Sequence, residues 1–453
     1  MTGLEERSRP ARVRLRLAGL SCGYFMVLLD SSILNVALPD IARDLGGSVA
    51  SLQWTINAYL ITFGALLLSS GAISDRYGAA RVFRVGVAAF AVASLLCALA
   101  PTLAVLVALR AVQGAAAALI PAATLALIGQ LHPEDDARAK ALGFWGALSS
   151  AGFASGPVIG GLLVGAGGWR TVFVVNLPLA VTGLVLAGRF GLRSPRGERR
   201  LDWRAQLATI VFLGLLTHTI IEAGRDPRAT LLPGALAVAA LAVLVAVERR
   251  SRTPAFPRNM VRIPAVRTAL TVGGGVQFLM VGTFFVLGLD LLEARHLTPA
   301  LAGLALAPYT IGPMLSPLAG RATIAYGTRR TLRGGLLLII AGHGAGAAVI
   351  SAGAPYLALV PCLLIAGFGV SFVFVPLTSA IVGAAPDGRA GVAAGLFNAA
   401  RQTGGSLGVG VLGSVMAVIG LGSATRVAFV ISAVGATVLW VLVTFQGSVK
   451  QRQ

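Results

Sequence analysis

The chain has 453 residues, of which 56% are hydrophobic and 12% charged, with a mean hydropathy of +0.83. Soluble domains carry about 25% charged residues, so a water-exposed globule, a disordered chain and a disulfide-stapled scaffold are excluded and a bilayer is the expected solvent. A net charge of +20 points to nucleic acid in a soluble protein, but in a membrane protein basic residues gather in cytoplasmic loops.

A transmembrane helix needs about 20 mostly apolar residues. Fourteen such stretches are predicted, near 16–38, 50–71, 82–100, 102–129, 140–164, 171–191, 205–223, 230–247, 267–290, 300–320, 332–352, 355–383, 391–420 and 425–446. Alternate connections and both tails hold 29 of the 37 basic residues. The opposite connections hold Arg43, Arg170, Arg225, Arg228, Arg295 and Arg426, and Arg110 and Arg401 fall inside spans. The positive-inside rule then puts both termini in the cytoplasm, and the charge is explained without a nucleic-acid partner.

The first span has a basic flank and carries Asp30 but shows no small-residue cleavage site, so it reads as a retained helix. Cys22, Cys97 and Cys362 lie in apolar runs and read as small buried hydrophobes. Trp54, Trp145, Trp169, Trp203 and Trp440 fall near span ends, as an aromatic belt would place them. The longest polar connections, 192–204 and 248–266, bracket two spans that separate six from six. The expected organisation is an N-terminal six-helix bundle (1–192), linkers with two extra helices (193–266) and a C-terminal six-helix bundle with a short tail (267–453).

An internal repeat supports two halves. With an offset of 255, Gly114 meets Gly369 and Pro121 meets Pro376; with an offset of 252, Gly152 and Gly156 meet Gly404 and Gly408. The turn Gly71–Arg81 has an echo in Gly320–Arg330. Such halves are the trace of a rocking transporter with its site between them. The polar residues are not repeated: Arg110 maps onto Ile365 and Gln113 onto Phe368, which locates ion coupling in the first half.

These motifs resemble those of the major facilitator superfamily, in particular its fourteen-helix drug:proton antiporter branch, the EmrB/QacA type. The first span carries Leu29-Asp30-Ser31-Ser32-Ile33-Leu34-Asn35-Val36-Ala37-Leu38-Pro39, with serine at 32 where threonine is usual. The second opens Leu52-Gln53-Trp54 and continues through Asn57 to Tyr59. Gly71, Asp75, Arg76, Gly78 and Arg81 are similar to the superfamily's loop motif, with Ala79 and Ala80 where basic residues are frequent. Leu106, Arg110, Gln113 and Gly114 match the fourth-helix motif; Gly152, Gly156, Pro157, Gly160 and Gly161 match the fifth-helix antiporter motif. Gly168-Trp169-Arg170 with Asn176 and Pro178, and Arg401-Gln402 with Gly404-Gly405, are similar to further motifs of the branch.

The resemblance implies an all-α polytopic membrane protein that exports a lipophilic drug, antibiotic or natural product across the bacterial inner membrane in exchange for protons. No cofactor or metal is expected beyond the proton gradient, and the chain is expected to be monomeric. A metabolite importer on the same fold is the alternative, and a polytopic membrane enzyme a remote one. Asp30 and Arg110 lie at matching depth, roughly 12–13 Å below the outer surface at about 1.5 Å per residue. They read either as the proton-coupling pair or as a static pin between two helices.

Asn35, Gln53, Asn57, Gln113, Arg401, Gln402 and Asp290 are expected along the substrate pathway. Arg401 either meets an anionic or carbonyl-bearing substrate or satisfies backbone carbonyls. Asp290 and Glu222 read as surface carboxylates, with an external vestibule as the rival. Gly71, Asp75, Arg76, Gly78 and Arg81 are expected to latch one conformation, and Gly152, Gly156, Pro157 and Gly160 to let helices approach closely. His343 reads as a packing histidine or a proton relay.

Overall fold

The computed structural model describes residues 2–188, 202–251, 258–386 and 389–445. Of the arginine-rich connections, 192–204 lies largely outside this set and 248–266 lies outside it only over 252–257, and the tail after 445 lies wholly outside it. The described residues are helical almost throughout. In chain order the principal helices are α1 (Thr2–Ile33), α2 (Val49–Tyr77), α3 (Ala79–Ala98), α4 (Leu103–Leu131), α5 (Asp135–Gly167), α6 (Asn176–Ala187) and α7 (Trp203–Ala223). They continue with α8 (Leu231–Arg250), α9 (Pro264–Leu289), α10 (Pro299–Thr310), α11 (Thr328–Ser351), α12 (Tyr356–Gly383), α13 (Ala390–Ile419) and α14 (Leu421–Phe445).

Local chemistry sets the boundaries. Thr102 and Asp202 accept from the backbone N–H three residues on and so cap α4 and α7. Gly78, Gly168, Gly327 and Gly420 end their helices at positive φ, where L side chains are strained. Among the described residues, twelve helical segments are long and apolar enough to cross a membrane. The other two predicted spans are present as interrupted helices. Thr171–Val174 is separated from α6 at Val175, since Pro178 has no N–H for the carbonyl of Val174. After α10 the chain breaks at Gly312 and resumes over Ser316–Tyr326, with Pro308 and Pro317 flanking the break.

The loop motif also differs from expectation. Gly71, Asp75 and Arg76 sit on the last turns of α2, and the turn is Gly78 alone, at φ +89°. Gly327, the repeat counterpart of Gly78, does the same between Ser316–Tyr326 and α11, at φ +79°.

Packing follows the repeat. α1 lies on α5 and α6, whereas α9 lies on α13 and α14. Gly152 and Gly156 are pressed against α1 at Phe25 and Ser32; Gly404 and Gly408 are pressed against α9 at Gly274 and Phe278. The paired glycines therefore occupy equivalent close approaches. Two buried apolar clusters result, one mainly from α1–α6 and one mainly from α9–α14. α2 against α13 and α5 against α10 join them. The α7–α8 hairpin rests on α13 and α2 through α7, and α8 is mostly exposed. Between hairpin and seam lies an apolar crevice of about 470 Å³, lined in part by Leu68, Phe212, Leu244, Leu270, Phe278 and Leu396.

Candidate functional site

Five helices converge on one buried polar cluster. Asp30 of α1 is 1% exposed and Arg110 of α4 is 2% exposed. Arg110 Nη1 donates to Asp30 Oδ2 at 2.6 Å and to Gln113 Oε1 at 2.7 Å, while Nε donates to the carbonyl of Thr55 on α2 at 3.1 Å. The guanidinium lies over the Tyr59 ring, with Cζ 4.4 Å from its centroid. Asp30 Oδ1 accepts from Gln113 Nε2 and from Asn176 Nδ2 of α6, each at 3.0 Å. Ser94 of α3 closes the cluster, accepting from Asn176 at 2.9 Å and from Gln113 at 3.2 Å while donating to the carbonyl of Phe173 at 2.9 Å.

Every described group bonded to the Asp30 oxygens is a donor. Both oxygens accept from side-chain donors, three bonds in all. Insertion of one unpaired charge at mid-membrane costs about 2.5–3.5 kcal/mol, which explains why acid and base are buried together. The ion pair predicted from matching depth is present. Gln113 orients the guanidinium, as its i, i+3 spacing permitted. Ser94, Tyr59 and the pairing role of Asn176 were not foreseen: a lone serine in an apolar span gives no signal, and Asn176 stood out only as part of a motif.

The other expected residues fall into separate places. Gln53 reaches across the α2–α13 seam to the carbonyl of Val409 at 3.4 Å, and its Oε1 is unpartnered among the described residues. Asn57 is fully buried with neither amide atom bonded among those residues, and Asn35 has one bonded and one orphaned atom. The Cβ of Gln402 packs against Gly64 on the same seam. Arg401 lies beneath Gln277 of α9 and the Phe374 ring of α12 rather than against backbone carbonyls.

Asp290 is corrected. It is not a surface carboxylate but 5% exposed and bonded to Arg295 Nε at 2.9 Å, because a π-turn over Asp290–Ala294 brings the i+5 residue back over it. Glu222 is partly exposed and pairs with Arg225 at 3.5 Å.

Asp75, Arg76 and Arg81 are exposed at the basic end of the bundle. A Cβ on Gly71 would meet nothing within 4 Å, so no close approach explains that glycine. A Cβ on Gly156 would come within 1.9 Å of Ser32 Oγ, and one on Gly160 within 2.7 Å of Ile33. Pro157 offers its carbonyl to the face of Gly303 on α10, so the fifth-helix motif touches both α1 and α10. His343 is a packing residue in this conformation: Nδ1 donates to the carbonyl of Ile339 and Nε2 accepts from Tyr309 Oη, both at 3.0 Å. Trp145 stacks on Tyr24 at 5.0 Å, and buried Trp169 donates to Asp44 at 2.9 Å beside the Arg170–Asp44 ion pair.

The Major Facilitator Superfamily profile matches residues 20–409. The chain is 34% identical over 406 residues to a methylenomycin A resistance protein of Streptomyces coelicolor, covering 89% of this chain and 85% of that one. It is 36% identical over 413 residues to the drug efflux pump JefA of Mycobacterium tuberculosis, covering 90% and 81%. Among solved structures, a POT family transporter in complex with 5-aminolevulinic acid superposes with a TM-score of 0.67 at 14% identity, over 95% of this chain and 96% of that one. The xylose transporter XylE of E. coli, partially occluded and inward open, gives 0.64 at 13% identity, over 95% and 97%. This multi-pass membrane protein belongs to the major facilitator superfamily.

Proposed function

We propose that the chain is a proton-coupled antiporter that exports a lipophilic drug, antibiotic or natural product across the bacterial inner membrane by alternating access. The observation that carries this reading is the buried Asp30, held by three side-chain donors from α4 and α6. A proton reaching Asp30 removes the negative charge that holds Arg110, Gln113 and Asn176 in place. The released guanidinium must find other acceptors, and α1 and α4 are free to shift. Loss of the proton to the other side restores the cage. Relatives named for methylenomycin resistance and drug efflux supply the direction and the substrate class.

In this reading the basic end is cytoplasmic and the chain makes fourteen crossings, with α7 and α8 as the two helices added between bundles 1–192 and 267–453. Asn35, Gln53, Asn57, Gln113, Arg401 and Gln402 border the substrate pathway. Asp290, bonded to Arg295, contributes at most to its outer rim. Asp75, Arg76, Gly78 and Arg81 act at the cytoplasmic ends of α2 and α3 as a conformational latch. The working unit is a monomer in the bilayer.

The test uses everted membrane vesicles with an acidified lumen, a fluorescent pH probe and a panel of lipophilic antibiotics and dyes. Proton release on adding a compound is expected from wild type and not from Asp30→Asn. Equal release from both proteins reduces Asp30 to a structural pin, and uptake of a metabolite instead of export supports the importer reading.

A further inference from the structure

Two arginines lie deep within helices, and their charges are met differently. Arg110 is paired with a carboxylate at 2.6 Å. Arg401 has neutral company: Nε and Nη2 donate to Gln277 Oε1 at 3.3 Å, and Nη1 reaches Asn398 Oδ1 at 3.5 Å. Its Cζ is 4.0 Å from the Phe374 centroid and 5.9 Å from that of Phe397. Among the described residues no carboxylate pairs with it. Amide oxygens and ring faces solvate a guanidinium without neutralising it, which leaves a positive charge at a depth where charge is costly.

Arg401 is eleven residues into α13, about 17 Å from the start of that helix, and Tyr24 of α1 is near enough to couple to it electrostatically. Tyr24 is stacked on Trp145 of α5 with ring planes 8° apart. The buried Trp145 Nε1–H has no acceptor among the described residues. Three of the five guanidinium N–H groups account for the bonds above, leaving one on each terminal nitrogen, the fork that a carboxylate or enolate accepts. Aromatic rings from α1, α5 and α12 and unanswered donors from α5 and α13 thus lie together, and a complementary molecule brings acceptors and a flat apolar body.

We propose that Arg401 is the anion subsite of the transport pathway and that the preferred substrates are flat apolar molecules bearing one delocalised negative charge, such as a carboxylate, enolate or phenolate. This rests on the export reading above and adds the charge of the cargo to it.

The experiment compares two dyes of one skeleton, anilinonaphthalene sulfonate (anionic) and N-phenylnaphthylamine (neutral), on protein in lipid nanodiscs. Energy transfer from Trp145 reports binding, with Trp145→Phe setting the background. Arg401→Gln is expected to weaken sulfonate binding about tenfold or more and naphthylamine binding less than about threefold, with Arg401→Lys between. Equal loss for both dyes, no loss for either, or wild type binding neither overturns the proposal. Should Arg401→Gln fail to fold, wild type alone decides: thermal protection by the sulfonate and not by the amine supports the subsite, and equal protection overturns it. Naphthylamine export by wild type and Asp30→Asn cells is followed separately. Its absence alone is compatible with anion preference, so the export reading is judged on the panel of antibiotics and dyes described above, whereas anion preference at Arg401 is read from binding alone.

Discussion

Asn176 Nδ2 donates to Asp30 Oδ1 at 3.0 Å and to Ser94 Oγ at 2.9 Å, so one amide on α6 ties the buried carboxylate of α1 to α3. The cluster is thus larger than a pair, and its members differ in what they carry. Asn176→Ala leaves Asp30 with two donors and Ser94 with one fewer, and should cost about 1–3 kcal/mol. Thermal unfolding of the purified variant checks this. Ser94→Ala removes a neutral hydroxyl and should cost less, so the reverse order would show that Asn176 contributes little to the cluster.

Arg110→Gln is expected to be worse than the double variant Asp30→Asn/Arg110→Gln. Breaking a buried pair from one side leaves an uncompensated charge, typically about 3–5 kcal/mol, whereas removing both charges leaves hydrogen-bonding amides in a site already rich in them. Both variants should lack coupled transport. A double variant as unstable as the single one would mean that shape, not charge balance, sets the stability of the site. A double variant that still releases protons on substrate addition would exclude Asp30 as the carrier.

How far this arrangement was legible depends on the kind of signal. Asp30 and Arg110 could be matched because each stands a countable number of residues from a span end and charge within an apolar run is conspicuous. The glycine repeat was legible for the same reason, as a fixed offset, and Gly152 and Gly156 do sit at contacts equivalent to those of Gly404 and Gly408. The Gly114–Gly369 match fails: Gly114 meets α2 at Tyr59 and Thr62, whereas Gly369 meets α11 at Gly335 and Ile339, and it is Gly367 that meets α10 at Tyr309. Ser94 could not be read, because serine is cheap to bury and nothing in a span tells which face it presents. Asp290 was misread because a regular helix puts i+3 and i+4 on its face, whereas the π-turn puts Arg295 there. The segments 171–187 and 299–326 are helical where spans were predicted, but their breaks depend on prolines whose effect is local geometry and not hydropathy.

Gly156→Ala should fail where Gly146→Ala succeeds. Alanine normally favours a helix interior over glycine by about 1 kcal/mol, and a Cβ at 146 meets nothing within 4 Å. At 156 it would lie 1.9 Å from Ser32 Oγ and 3.0 Å from the backbone nitrogen of Ile33. Ser32 also donates to the carbonyl of Phe153 at 2.8 Å, so turning its hydroxyl away breaks a second tie between α1 and α5. The expected result is slowed export with reduced thermal stability for Gly156→Ala, and unchanged export for Gly146→Ala. Normal export by Gly156→Ala would mean that α1 and α5 do not need this contact during transport.

Gly78→Ala tests the loop motif apart from its charges. The residue has φ +89° and ψ 125°, a region that an L side chain enters at a cost of about 1–3 kcal/mol. Gly71, seven residues earlier on α2 with open space around it, carries no such demand. Gly78→Ala should lower the yield of folded protein and its unfolding temperature, and Gly71→Ala should leave both unchanged. If the motif acts as a latch, Gly71→Ala at normal stability should also leave the export rate intact, while Asp75→Asn lowers it without a change in unfolding temperature. Asp75 is exposed and outside the membrane-buried cluster, so a fall in export at constant stability isolates a role in conformational exchange from a role in folding. Export unaffected by Asp75→Asn would leave the charges at this end as determinants of orientation alone.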